Sequence, residues 1–312
     1  MRLAHVVAEY VALKQAMGMR FRTEAGILQA FCRALGDVDI AEVASGPVQA
    51  YLAGRGPLTA FWHRKYETLT GFYRFALGRG YAPASPLPTT VPKRPAPFVP
   101  YIYTPQEVQR LLAATDSLAV PPDPLQPVTF RTLLLLLYGT GLRLGEALAL
   151  TLADVDLPGA VLTVRKGKFY KTRLVPTGPR LTHVLADYAH KRRRRPRPAG
   201  EASAFFALRT GHPLPRHRVE RTFRTLREHA GIRRDDGARY QSRLHDLRHT
   251  FAVHRLVAWY RAGADVQRLL PLLATYLGHA DIAATQRYLT LTPDLLHAAS
   301  RRFARYALGG ES

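Results

Sequence analysis

Four short strings in this sequence carry residue types that can do chemistry. Gly139-Thr140-Gly141-Leu142-Arg143-Leu144-Gly145 has the glycine density of a phosphate-cradling dinucleotide loop. It follows a helical rather than a strand-like stretch and lacks the G-x-G-x-x-G spacing, which sets that chemistry aside. His245-Asp246-Leu247-Arg248-His249 spaces two histidines one helical turn apart, as in a zinc site. Asp stands where a Glu base belongs, however, and Arg248 would put a permanent cation between the ligands, which argues against a metal. Gly278-His279, followed nine residues later by Tyr288, offers an imidazole and a phenol, although a lone Tyr on a helix is ordinarily a packing residue. The run Lys191-Arg192-Arg193-Arg194-Arg195-Pro196-Arg197 supplies phosphate affinity and no more.

The elements that must position these residues read as mainly helical. Leu3, Val6, Val7, Tyr10 and Val11 share one face, and Thr23 is a candidate N-cap for a helix carrying Ile27, Leu28, Phe31 and Leu35. Another helix follows Ser45 with Val48, Tyr51 and Leu52, and a longer one spans Phe61–Leu77 with Leu69, Phe72, Tyr73 and Ala76 as its stripe. Residues 1–82 thus form a small helical domain. Prolines 83, 86, 88, 92, 95, 97 and 100 remove backbone donors over residues 83–100 and mark a linker, which also holds Lys93 and Arg94.

The second domain, residues 101–312, starts at a capping box of Thr104 and Glu107 with Pro105 at the first helical position. Helices are expected to about Ala114, over Val128–Tyr138 ending at Gly139, and over Leu142–Leu150. The period then changes to β-branched alternation in Ala160–Val164, which pairs with Arg173–Pro176 across a basic turn, and Phe205–Leu208 is a candidate third strand. Helices follow over Leu181–Lys191, Val219–His229, His245–Tyr260, Asp265–Tyr276 and Ile282–Tyr288, with a tail helix at about residues 293–308.

A chain of 312 residues exceeds what one core of about 250–300 residues ordinarily fills, in keeping with two domains. The excess of 45 Lys+Arg over 23 Asp+Glu gives a formal charge of +22, a field that attracts polyanions and makes nucleic acid the first partner to consider. The longest purely apolar run, Leu133–Tyr138, is far short of the roughly 18–20 residues a spanning helix needs. No secretory signal is visible at Met1–His5, and the single Cys32 excludes a disulfide framework or a Cys-rich zinc module. A cytoplasmic, nucleoid-associated protein without membrane contact is the expectation.

The order and spacing of Thr140-Gly-Leu-Arg143-Leu-Gly-Glu146, a basic turn at Lys166–Lys171, His245-Asp-Leu-Arg248-His249-Thr-Phe, Leu277-Gly-His279 and Tyr288 resemble the catalytic domain of the tyrosine recombinase, or phage integrase, family. The match spans about Thr104 to Leu296, and the N-terminal helices resemble the family's core-binding domain in layout only. The resemblance implies a mainly helical chain with a small hairpin or three-stranded sheet, its two domains clamping duplex DNA. Cleavage would give a 3′-phosphotyrosyl intermediate and a free 5′-hydroxyl, with no cofactor and no metal.

The residue types suit that reaction. Attack on a phosphodiester loads charge onto two non-bridging oxygens, and Arg143 and Arg248, which match the family's two arginines, can each offer a permanently charged planar fork. Tyr288 matches the nucleophile and His245 the group that takes or shares its proton. His279 matches a donor to the scissile phosphate, with capping of a helix end after Gly278 as the plainer alternative. The general acid is a lysine on the basic turn. The family pattern, a Lys five residues before the Arg of Arg173-Leu-Val-Pro176, selects Lys168, with Lys166 as runner-up if the hairpin register differs by one. Glu146 orients Arg143, whereas Asp246 and His249 are expected to face away from their neighbours as structural residues.

The expected function is therefore site-specific DNA recombination, by a homo-oligomer that is a tetramer in the synaptic complex, with room for an accessory recombinase partner. A type IB topoisomerase using the same phosphotyrosine chemistry is one alternative. A catalytically inactive DNA-binding regulator is another.

Overall fold

A computed structural model of the chain describes residues 1–95, 98–119, 127–165, 172–238, 240–279 and 281–290, together with Ser300. The chain divides into two compact units, Met1–Phe98 and Val99–Ser312.

The first unit contains α1 (Leu3–Ala16), α2 (Arg22–Leu35), α3 (Ser45–Ala53) and α4 (Ala60–Gly78). Its core gathers the positions that recur at three- and four-residue steps: Leu3, Val6, Val7 and Tyr10 from α1, Leu28 and Phe31 from α2, Val48 and Leu52 from α3, and Leu69, Phe72, Tyr73 and Ala76 from α4. Thr23 does not cap α2. The cap is Phe21, held left-handed at φ 41 with its ring edge-on to Tyr10 at 5.6 Å, so the helix begins at Arg22. The proline-rich segment is tied to α4 at two points: the Tyr66 hydroxyl donates to the Pro88 carbonyl at 3.2 Å, and Arg94 pairs with Glu67.

The second unit opens with α5 (Pro105–Ala114), whose N-terminus is the expected capping box: the Thr104 hydroxyl accepts from Glu107 N at 3.2 Å and Glu107 accepts from Thr104 N at 2.8 Å. Next come α6 (Pro127–Thr140) and α7 (Leu144–Ala149), and then a three-stranded antiparallel sheet in the order β1 (Val155–Asp156), β2 (Val161–Val164), β3 (Arg173–Pro176). Leu162 faces Val175 and Val164 faces Arg173; Leu162, Val164 and Val175 enter the core, whereas Leu174 turns outward. The third strand is Val155–Asp156 and not Phe205–Leu208. Phe205 and Phe206 are both buried against Tyr188, so that run does not alternate between faces; its bridge is an isolated one, Ala207 to Pro213, next to another between Thr151 and Ala204.

Helices α8 (Pro179–Arg193), α9 (Arg216–His229), α10 (Asp246–Arg261), α11 (Val266–Leu277) and the short α12 (Ala283–Gln286) follow, and a 3₁₀ turn at Arg287–Thr290 carries Tyr288. The tail helix expected at residues 293–308 falls, apart from Ser300, outside the described residues. The basic run at the end of α8 is not a uniform solvated patch. Arg192 is fully buried and donates to the carbonyls of Ala204 and Pro196, and Arg195 reaches the carbonyl of Ala207, so these two cations fasten loops. Among the described residues, no helix is long and apolar enough to cross a membrane.

Candidate active site

The site is built around the C-terminus of α11. Gly278, left-handed at φ 68, ends the helix, and the amides of Gly278 and His279 close back onto the carbonyls of Thr275 (3.0 Å) and Ala274 (2.9 Å). The carbonyls of Tyr276, Leu277 and Gly278 remain at the negative end of the helix dipole. Each accepts from a different arginine: Tyr276 from Arg173 Nε at 3.1 Å, Leu277 from Arg248 Nη2 at 2.8 Å, and Gly278 from Arg143 Nη2 at 3.2 Å.

Arg143 is the N-cap of α7, and Glu146, in the first turn, accepts from its backbone N at 3.0 Å and its Nη1 at 2.8 Å. The same carboxylate takes a two-pronged contact from Arg173, at 3.1 and 2.8 Å. Burial alone would raise the Glu146 carboxyl; the Arg173 and Arg143 hydrogen bonds and the guanidinium charges override it and hold its pKa at about 2. Arg248, on α10, is 3% exposed and also donates to the Gly141 carbonyl at 2.6 Å. Burial and then the neighbouring Arg143 charge push it down to about 10, so it is still cationic at neutral pH.

A row of rings lies beside the arginines. His245 stands at the N-cap of α10 and meets His249 edge-on at 5.1 Å; His249 lies 5.5 Å from the Tyr288 ring, and His279 stacks on Tyr288 at 6.1 Å. His279 Nδ1 and the Thr285 hydroxyl are 2.6 Å apart. Its backbone amide, not its ring, closes the helix end. Desolvation by the protein on its flanks and the Arg248 charge lower the pKa of His245, while the same effects, with His245 as second cause, push His249 to about 3. Both imidazoles are neutral at pH 7, able to accept a proton or a hydrogen bond. Tyr288 is 3% exposed.

Arg143 and His245 open onto a cavity of about 950 Å³ whose walls carry Arg216, Arg224, Arg227 and Arg243 together with Tyr240. Its cationic lining suits a polyanionic strand. Among the described residues, no three His, Cys, Asp or Glu side chains gather as a metal site.

Arg143, His245, Arg248, His279 and Tyr288 therefore come together, as the sequence reading expected, and Glu146 contacts Arg143. Lys168 and Lys166 lie outside the described residues. His249 does not face away: residues four apart on a helix share a face, and the His245–His249 spacing already said so. Asp246 is fully buried and accepts from Arg243 N at 2.8 Å, which braces the start of α10. Arg173 was missed as a site residue, although it is the arginine of the string used to select Lys168.

The phage integrase family profile matches residues 102–294, and the chain belongs to that family, the tyrosine recombinases. It is 39% identical over 308 residues to the integrase/recombinase y4rB of Sinorhizobium fredii, covering 96% of each chain. It is 31% identical over 276 residues to the tyrosine recombinase XerD of Corynebacterium glutamicum, covering 84% of this chain and 83% of the relative. A solved lambda integrase tetramer bound to a Holliday junction shares the fold, with a TM-score of 0.67 at 17% identity over 92% of this chain and 77% of that one. The protein is a site-specific recombinase that cleaves and rejoins DNA; neither a topoisomerase nor an inactive regulator is favoured.

Proposed function

We propose that Tyr288 Oη attacks the scissile phosphodiester, forming a 3′-phosphotyrosyl bond as the 5′-oxygen leaves, and that the reverse attack by a partner strand's 5′-hydroxyl completes recombination. Arg143 and Arg248 stabilise the charge on the non-bridging oxygens, and His279 donates to the same phosphate. His245 takes or shares the phenol proton, and Lys168, with Lys166 as alternative, protonates the leaving 5′-oxygen. One observation carries the reading: Arg143 and Arg248 are fixed to successive carbonyls of the turn that leads into His279, and His279 stacks on Tyr288.

Residues 1–82 serve as the core-binding domain, 83–100 as the linker, and 101–312 as the catalytic domain. Double-stranded DNA follows the arginine-lined cavity, a role supported by the +22 charge. The active assembly is a tetramer on DNA, for which the lambda integrase tetramer is the precedent. The tail stripe of Leu296, Ala299, Phe303 and Ala307, which lies outside the described residues, docks in this reading on a neighbouring protomer, with packing on its own catalytic domain as the alternative. The enzyme works in the cytoplasm at the nucleoid, on integration, excision or resolution of a DNA element, with or without an accessory recombinase. The test is Tyr288→Phe on a nicked suicide substrate: site binding is retained and the covalent adduct disappears. An adduct from the phenylalanine variant would assign the nucleophile to another tyrosine.

A further inference from the structure

Arg173 is the least exposed of the Arg143–Glu146–Arg173 trio's cations, at 15% against 30% for Arg143, and it reaches no open part of the cavity. It is the first residue of β3, paired with Val164, and it spends all three guanidinium nitrogens inside the protein: Nε on the Tyr276 carbonyl, Nη1 and Nη2 on the two oxygens of Glu146. Its guanidinium also lies over Gly278, where a Cβ would come within 2.8 Å of Nη1. One side chain thus joins the sheet, α7 and the end of α11.

The geometry around Glu146 says what this is for. A carboxylate beside a guanidinium favours a two-pronged, fork-to-fork pair. With Arg173 on both of its oxygens, Glu146 holds Arg143 through Nη1 and the backbone N only, while Nη2 goes to the Gly278 carbonyl. Without Arg173, the carboxylate would be free to close the full fork on Arg143 and turn its donors away from a bound phosphate. We propose that Arg173 is a positioning residue for strand cleavage: by occupying Glu146 and the Tyr276 carbonyl, it keeps the Arg143 guanidinium available to the scissile phosphate. This rests on Arg143 as a phosphate-binding residue.

The test compares Arg173→Gln, Glu146→Gln, the double variant, Arg173→Lys and Arg143→Ala in single-turnover cleavage of a suicide substrate, with half-site affinity measured alongside. Arg173→Gln is expected to slow cleavage about 10–100-fold, the usual cost of losing an outer partner of a site residue, with affinity held within about two-fold. The double variant should cleave faster than Arg173→Gln alone, because the liberated carboxylate is what captures Arg143. A purely architectural arginine gives the opposite order, the double variant being as slow or slower, and that result overturns the proposal. So does wild-type cleavage by Arg173→Gln. Should Arg173→Gln fail to fold, Arg173→Lys keeps the charge without the fork; it should be slowed and then accelerated by adding Glu146→Gln, and its failure to respond is equally decisive. A substrate with a neutral methylphosphonate at the scissile position needs less cationic help, so the gap between Arg173→Gln and wild type should shrink on it. Wild-type cleavage by Arg143→Ala would instead sink the underlying reading of Arg143.

Discussion

Two glycines four residues apart should respond oppositely to alanine. Gly141 has φ +64, and a Cβ there would lie 2.6 Å from Phe251 Cδ1 and 2.8 Å from Leu277 Cδ2, atoms of buried side chains with little room to retreat. The left-handed backbone costs an L-residue about 1–2 kcal/mol, and forcing a methyl into a packed core adds about 1–3 kcal/mol, so Gly141→Ala should lose about 2–5 kcal/mol. Gly145 lies inside α7 with nothing within 4 Å of its would-be Cβ and no positive φ. Gly145→Ala should therefore be neutral or stabilising by up to about 1 kcal/mol, through a less flexible unfolded chain. Urea unfolding followed by circular dichroism reads both. Because the Gly141 carbonyl holds Arg248, any folded Gly141→Ala protein should also cleave more slowly than its stability loss alone explains. A loss below about 1 kcal/mol at Gly141 would refute the packing argument.

Three further outcomes are expected. A 5′-bridging phosphorothiolate substrate, whose thiolate leaves without a proton, should rescue cleavage by Lys168→Ala and not by Lys166→Ala; the reverse pattern moves the general acid two residues. His249 titrates near 3 in the fold against an ordinary 6.5, so its contribution to stability is present above pH 6.5 and is lost as pH falls towards 3; His249→Gln should flatten the wild-type decline in that window, and parallel slopes in pH-dependent urea melts would remove the claim. Phe303→Glu should keep half-site binding while losing cooperative occupation of two half-sites, since burying such a ring contributes about 1.5–3 kcal/mol; equal cooperativity in gel shifts would leave the tail packed on its own domain.

Much of the second unit was legible because its signals are local. The Thr104–Glu107 capping box and the alternation around Leu162 and Val175 are decided by neighbours in sequence. The misreadings of the Phe205–Leu208 run and of the basic run involve long-range packing, whereas that of His249 overlooked a local i,i+4 spacing. Phe205 and Phe206 look like strand residues by type, but a run buried on both faces has no period to read, and Tyr188 decides its fate from α8. Arg192 and Arg195 read as phosphate affinity alone because nothing in a basic run announces that the carbonyls of Ala204, Pro196 and Ala207 will reach it. Thr23 lost its capping role to the Phe21–Tyr10 ring contact.

In the site, the motif strings pointed to Arg143, His245, Arg248, His279 and Tyr288, which the fold brings together, and passed over the residue behind them. Arg173 touches no reacting atom in the proposed mechanism, so no chemical role singles it out in sequence. Its partners are separated from it by 27 residues for Glu146 and 103 for Tyr276. The physical need is nonetheless clear once the fold is known. Three guanidiniums converge on the end of α11 with one carboxylate among them, and like charges at that spacing repel unless each is held by an acceptor of its own. Main-chain carbonyls at a helix C-terminus provide those acceptors without adding a full negative charge that would compete with the phosphate. In the proposed mechanism this arrangement keeps Arg143 and Arg248 charged and oriented before DNA arrives, so little reorganisation is left for the moment at which the phosphorane-like charge develops.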